Sequence, residues 1–243
     1  MKSIKLTLLP LQPLRLSYAH FKTLQGLAYS LIGHDQALAS EIHDRSYPDQ
    51  KAFKFFCFTD IIGRYQNNGE KLIYKNTITW ELRSVDDRVI NAVEQYVLEN
   101  PTVKIGKQLC KIISYEMREK HFCTDTLTAG MNTPIVVYHT EVSGFVRYYH
   151  PFEQAFFDAV IKNIKNKYEM FYEKPLPGDV IFISKNPSDR DKCITHYEKT
   201  IITAWYGEYQ ITASPEVLDF IWYTGLGGKN SMGFGTILEN NIR

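Results

Sequence analysis

Residues 225–235, GLGGKNSMGFG, place five glycines and one lysine in a single short segment, and the kind of phosphate such a segment serves decides the fold around it. A nucleotide loop implies a parallel α/β sheet. The P-loop pattern requires G-x-x-x-x-G-K followed by Ser or Thr, but Tyr223 stands five residues before Gly228 and Asn230 follows Lys229. The dinucleotide fingerprint G-x-G-x-x-G fails too, because Gly225 and Gly227 lead to Asn230 and the segment follows a helical pattern where the fingerprint follows a strand. A kinase-type glycine loop fails on the same spacing. Gly225 alone suits a helix C-terminus, whereas five glycines interleaved with Lys229 and Ser231 suggest backbone that lets another polymer come close and grips its phosphodiester chain.

Working outward, Ser214 and Pro215 open a helix that runs to Thr224, and GFGTILE forms a last strand. Further back, residues 151–172 (PFEQAFFDAVIKNIKNKYEMFY) repeat Phe152, Phe156, Val160, Ile164 and Tyr168 every fourth position, with Pro151 expected in the first turn of the helix. A strand is expected at NTPIVVYHT, and others at DVIFIS, around CITHYEKTIITAWY and at EYQITA.

In the first half, Ile4, Leu6 and Leu8 alternate with polar residues as in a half-buried strand. Leu24, Leu27, Ala28 and Leu31 form one helical stripe, and Tyr29 falls away from it with Lys22 and Gln25. A short helix follows over residues 36–43, then strands in KAFKFFCFTDI and EKLIYKNTITWEL. Ser84 and Asp87 have the capping-box spacing before a helix carrying Val89, Val93 and Val97, and strand-like residues continue from 103 to 116.

Each half therefore reads as strand, helix, strand, strand, helix, strand. The fold class expected is α+β: tandem ferredoxin-like, RRM-like domains over residues 1–128 and 129–243, each an antiparallel sheet with helices on one face.

A chain of 243 residues with 44% hydrophobic content can bury a substantial core. No stretch approaches a membrane span, and two prolines and an arginine interrupt the apolar opening, which speaks against a secretory signal. Cys57, Cys110, Cys123 and Cys193 lie far apart, as expected of reduced thiols in a cytoplasmic protein. With a net charge of +1, a nucleic-acid site would have to be a local patch, and the best local excess runs from Lys104 to His121. The seven histidines form no H-E-x-x-H or H-x-x-x-H pair, so neither a metal nor another cofactor is expected. The aromatic strand signature of generic RNA-recognition proteins is absent.

Gly225-Leu226-Gly227, five residues including Lys229, then Gly233-Phe234-Gly235 is similar to the C-terminal glycine-rich motif of the RAMP superfamily, specifically of the CRISPR repeat-RNA processing endoribonucleases. TPIVVYH, YYHPFEQAFFDAVIKNIKNKY and GEYQITASPEVLDFIWYTGLG resemble that family's C-terminal half. FKTLQGLAYSLI, a histidine and KAFKFF resemble its N-terminal half, so the likeness covers nearly the whole chain.

The resemblance implies two ferredoxin-like domains and metal-independent cleavage of CRISPR repeat RNA by 2′-hydroxyl attack, leaving 5′-hydroxyl and 2′,3′-cyclic phosphate ends. Carried over by position, it implies catalytic Tyr29, His43 and Lys51. Either Tyr29 or His43 could take the first proton, with Lys51 suited to the phosphate. His34 is the rival histidine. The RNA-binding candidates are Gly225, Gly227, Gly228, Lys229, Asn230, Ser231, Gly233 and Gly235, with Arg147, Lys185 and Lys192 as basic residues of the same half. The implied partner is the precursor CRISPR repeat RNA, with room for other subunits of a CRISPR effector complex or a homodimer. A non-catalytic RNA-binding subunit of such a complex is the rival reading, distinguished by whether Tyr29, His43 and Lys51 share one cleft.

Overall fold

Alternation in the opening strand sets the first sheet: Ile4, Leu6 and Leu8 are all fully buried, each worth about 1.5–3 kcal/mol of transfer free energy. The computed structural model describes residues 1–44 and 53–239. Contacts between Cα atoms divide it into two units, one of Met1–Glu119 with Ser231–Gly233 and one of Lys120–Asn230 with Phe234–Arg243.

The first unit has strands β1 (Lys2–Pro10), β2 (Leu14–Ser17), β3 (Phe56–Phe58), β4 (Tyr65–Asn67), β5 (Lys71–Tyr74), β6 (Ile78–Ser84), β7 (Thr102–Ile105) and β8 (Gln108–Arg118), and helices α1 (Phe21–Ile32), α2 (Gln36–Asp44) and α3 (Asp87–Glu99). Its main sheet runs β3-β6-β1-β8-β7 and is antiparallel throughout. Leaving aside β7, that is the ferredoxin-like order, with the fourth strand beside the first and the third between first and second. A separate three-stranded sheet, β2-β5-β4, is inserted beside it. EKLIYKNTITWEL thus supplies two strands in different sheets, β5 and β6, where its strand-type composition suggested one. α3 also starts differently from expectation. Asp86 is its N-cap and accepts the Arg88 amide at 3.1 Å, while Ser84 Oγ accepts the Asp86 amide at 3.0 Å and donates to the Phe55 carbonyl at 2.9 Å. A hydroxyl already occupied at the strand end cannot close a capping box.

The second unit has β9 (Thr126–Met131), β10 (Tyr138–Thr140), β11 (Val146–Tyr148), β12 (Ile181–Lys185), β13 (Lys192–Tyr197), β14 (Thr200–Trp205), β15 (Glu208–Thr212) and β16 (Ile237–Glu239), with helices α4 (Gln154–Tyr172) and α5 (Pro215–Thr224). Its sheet runs β12-β15-β9-β16, the same ferredoxin-like order, and β10-β11 and β13-β14 are inserted hairpins. The chain is a tandem of ferredoxin-like folds.

The first strand of the second unit is β9, not NTPIVVYHT, of which only Tyr138–Thr140 forms a strand. The second unit therefore begins ahead of residue 129, since a division at 128/129 would cut β9 between its bonds to β15. α4 begins at Gln154, and Pro151 lies in the turn before it. Its stripe of Phe156, Val160, Ile164 and Tyr168 is fully buried, with Phe156 stacked against Tyr209 of β15.

Each glycine of residues 225–235 answers to the chain's own atoms. A Cβ on Gly227 (φ +65°) would lie 2.6 Å from the Val136 carbonyl oxygen, and one on Gly235 (φ +76°) would lie 2.0 Å from that of Leu226. By contrast Gly69 (φ +89°), in the β4–β5 turn, would meet nothing within 4 Å. Gly235→Ala is therefore expected to destabilise by about 3 kcal/mol or more, and Gly69→Ala by only about 1–2 kcal/mol of backbone strain. Denaturant unfolding midpoints of the two variants check this, and equal losses would contradict it.

Candidate functional site

The glycine segment is held by side chains that the glycines leave room for. Lys167, 2% exposed on α4, donates from Nζ to the Gly225 carbonyl at 2.5 Å and to Asn230 Oδ1 at 3.2 Å. Asn230 Nδ2 donates in turn to the carbonyls of Leu226 at 2.9 Å and Phe234 at 3.0 Å. The amides of Leu226, Gly228 and Gly235 bond to the carbonyls of Gly235, Val136 and Pro134. Those amides are used within the fold, so the segment is not the open nest of donors that its composition suggested.

Ser231–Gly233, the tip of the segment, belongs to the first unit. Ser231 hydrogen-bonds to the side chain of Tyr29 on α1. Gly233 (φ +93°) packs so closely that a Cβ would come 2.8 Å from the Phe58 ring and 3.1 Å from that of Phe21. Tyr29 is half-buried, not on the solvent face that the helical angle suggested, because Phe56 of β3 meets its ring edge-on at 5.8 Å between centroids. Burial raises the Tyr29 pKa, partly offset by the Ser231 bond, so the hydroxyl keeps its proton at neutral pH.

His43 falls on the last turn of α2, and Lys51 lies outside the described residues. His34 has Nε2 3.2 Å from Glu99 Oε2 and stands edge-on to Tyr96 of α3. In the second unit, Arg147 Nη2 is 2.8 Å from Glu153 and its guanidinium lies over Tyr149; Lys185 is 3.4 Å from Glu208; Lys192 lies over the Trp205 ring at 5.8 Å. A phosphate reaching Arg147 or Lys185 must therefore compete with a carboxylate. Lys229 (φ +62°) sits 5.0 Å over the Tyr138 ring, a cation on an aromatic face. Among the described residues no group of three or more His, Cys, Asp or Glu could hold a metal ion, and no helix is long and apolar enough to cross a membrane.

A family model for CRISPR associated protein Cas6, C-terminal, matches residues 117–238. The chain belongs to the Cas6 family. It is similar to the CRISPR-associated endoribonuclease Cas6 2 of Methanocaldococcus jannaschii, 26% identical over 253 residues covering 96% of this chain and 98% of the relative. Among solved structures, a Cas6-related protein from Pyrococcus furiosus superposes with a TM-score of 0.81 at 17% identity over 99% of both chains. A RAMP protein described as binding different RNA substrates gives 0.81 at 18% identity, over 98% of this chain and 99% of its own. These structures share the Cas6 fold.

Sequence reasoning passed over one polar pair next to α1. His20, the N-cap of α1, is 4% exposed, with Nε2 2.6 Å from Asp60 Oδ1 and Nδ1 2.7 Å from the Ser17 carbonyl. Two acceptors at the two ring nitrogens favour the imidazolium, which donates at both. Burial lowers the His20 pKa, but the bond to Asp60, its charge and the Ser17 carbonyl outweigh burial and leave it raised above 6.5. His20 also stacks on Phe21, the residue under Gly233. No motif links positions forty residues apart, so this pair had no signal in the sequence.

Because the folded pKa is raised, the stability it supplies is complete below about pH 6.5 and is lost as pH rises through the folded value. Asp60→Asn should thus lower the melting temperature most at slightly acid pH, the gap from the parent narrowing towards alkaline pH. A constant gap across that range would remove the linkage.

Proposed function

We propose that the protein is a metal-independent endoribonuclease that cleaves CRISPR repeat RNA into guide RNAs. The observation carrying this reading is the seat of the glycine motif's tip on α1, the helix that bears Tyr29, the residue placed in the chemistry by family resemblance: a Cβ on Gly233 would come 3.1 Å from the Phe21 ring. The M. jannaschii relative, matched along almost its whole length, is named an endoribonuclease, and the superposed RAMP protein is described as binding RNA.

In this mechanism His43, whose reference pKa lies near neutrality, takes the proton of the 2′-hydroxyl as that oxygen attacks the adjacent phosphorus. The bond to the 5′-oxygen breaks, and His43 returns the proton to that leaving oxygen. The products are a 2′,3′-cyclic phosphate and a 5′-hydroxyl. Lys51 supplies positive charge at the phosphorane. Tyr29, kept as a neutral phenol by burial, donates a hydrogen bond to a phosphate oxygen instead of acting as base. Lys229, Arg147, Lys185 and Lys192 hold the RNA backbone.

His43→Ala is expected to lower single-turnover cleavage of the repeat RNA by about a hundredfold or more with little change in affinity, and cleavage should persist in excess chelator. Full activity in the variant would remove His43 from the mechanism, and loss of activity in chelator would remove metal independence. Lys229→Ala should leave the cleavage rate of bound RNA intact while weakening binding and making its salt dependence shallower by about one phosphate contact. Superimposable isotherms over a salt series would contradict that role.

A further inference from the structure

The inserted sheet β2-β5-β4 carries a surface cleft of about 220 Å³ lined by Arg64, Tyr65, Gln66, Ile73, Lys75 and Asn76. Register fixes which residues look outward. Tyr65 pairs with Tyr74, and Gln66 with Ile73. Tyr74 is buried with its ring 5.6 Å from that of Tyr65 and marks the inward side of the ribbon, while Tyr65, 54% exposed, reaches the rim of the cleft. Alternation then puts Gln66 and Ile73, with Arg64 and Lys75 beside them, on the outward side.

The chemistry of that side is specific. Ile73 is half-buried and gives an apolar floor. Gln66 and Asn76 are exposed amides, each both donor and acceptor, of the kind that pair with base edges. Arg64 and Lys75 are exposed, and among the described residues neither makes an ion pair, in contrast to Arg147 and Lys185. Two unneutralised cations with two amides around an apolar floor suit one nucleotide: phosphates at the cations, base edge at the amides, and ribose or base against Ile73.

We propose that this cleft binds an unpaired nucleotide of the RNA substrate, outside the glycine segment and the Tyr29 site. It rests on the RNA-processing reading above. The β4–β5 ladder that forms it is braced by Tyr18, whose hydroxyl donates to Asn67 Oδ1 at 2.5 Å, so the cleft is built on paired strands.

The test uses the full chain and a fluorescein-labelled CRISPR repeat RNA from its own genome, titrated by anisotropy over a salt series. Arg64→Ala/Lys75→Ala should weaken binding about tenfold and make the slope of log affinity against log salt shallower by about 1.4, two single-strand phosphate contacts. Gln66→Ala should weaken binding about fivefold at an unchanged slope. Lys162→Ala/Lys165→Ala, which removes two charges from exposed positions of α4, should leave affinity within about twofold. These positions are exposed, and unchanged melting temperatures confirm folding. Isotherms of the Arg64/Lys75 variant matching the parent, or an equal loss in the Lys162/Lys165 variant, would overturn the cleft while leaving the parent's RNA binding in place. A parent that binds no repeat RNA would overturn the RNA-processing reading itself, and the cleft with it.

Discussion

One buried ammonium organises the glycine segment. Lys167 is closed off from water, and an ion so placed costs several kcal/mol unless its donors are satisfied. Gly225 and Asn230 supply the acceptors. Asn230 then reaches with its amide nitrogen to Leu226 on one limb of the segment and Phe234 on the other. Because the Asn230 amide lies between the limbs, a Cβ on Gly225 would approach its Nδ2 to 2.8 Å and one on Gly235 to 2.7 Å. The spacing of glycine, asparagine and glycine is thus the outline of one hydrogen-bonded network seen in sequence. Removing Lys167 would strand the two acceptors that set the shape of the turn.

What the sequence disclosed and what it hid follow from the same physics. Buried stripes of large apolar residues were legible: Ile4, Leu6 and Leu8 in β1, and Phe156, Val160, Ile164 and Tyr168 in α4, fall where periodicity put them. β9 was not, because its buried positions include Ala129, with Gly130 next to it, and small residues in a central strand leave no alternation to detect. Residues 70–82 misled in the opposite way, since continuous β-branched and aromatic character cannot show that Lys75 to Thr77 carry the chain from one sheet to another.

At Tyr29 the place on the helix was legible and the environment was not. Angle on a helix assigned Tyr29 correctly away from the Leu24–Leu31 stripe, yet it cannot anticipate a β-strand aromatic and a distant loop arriving on that other face. Composition likewise marked residues 225–235 as unusual but could not say which atoms the glycines make room for. They make room first for this chain: Val136 at Gly227, Leu226 at Gly235, and the Phe58 and Phe21 rings at Gly233. His20 and Asp60 were invisible because their partnership depends on tertiary contact alone.

The three-residue tip gains its meaning from how tightly it lies on α1. Phe21 and Tyr29 are eight residues apart, about 12 Å along the helix, and the tip touches both, Gly233 at the former and Ser231 at the latter. The start of that helix is fixed in turn by the buried His20–Asp60 pair, with Asp60 offsetting an imidazolium that the N-terminal end of a helix would otherwise disfavour. A side chain at position 233 would have to push aside Phe58, which is itself fully buried against Trp80. The rings cannot yield, so the tip would rise and take Ser231 off the Tyr29 hydroxyl. Gly233 thereby sets a hydrogen-bond donor of the proposed reaction without touching it, through closeness of packing alone.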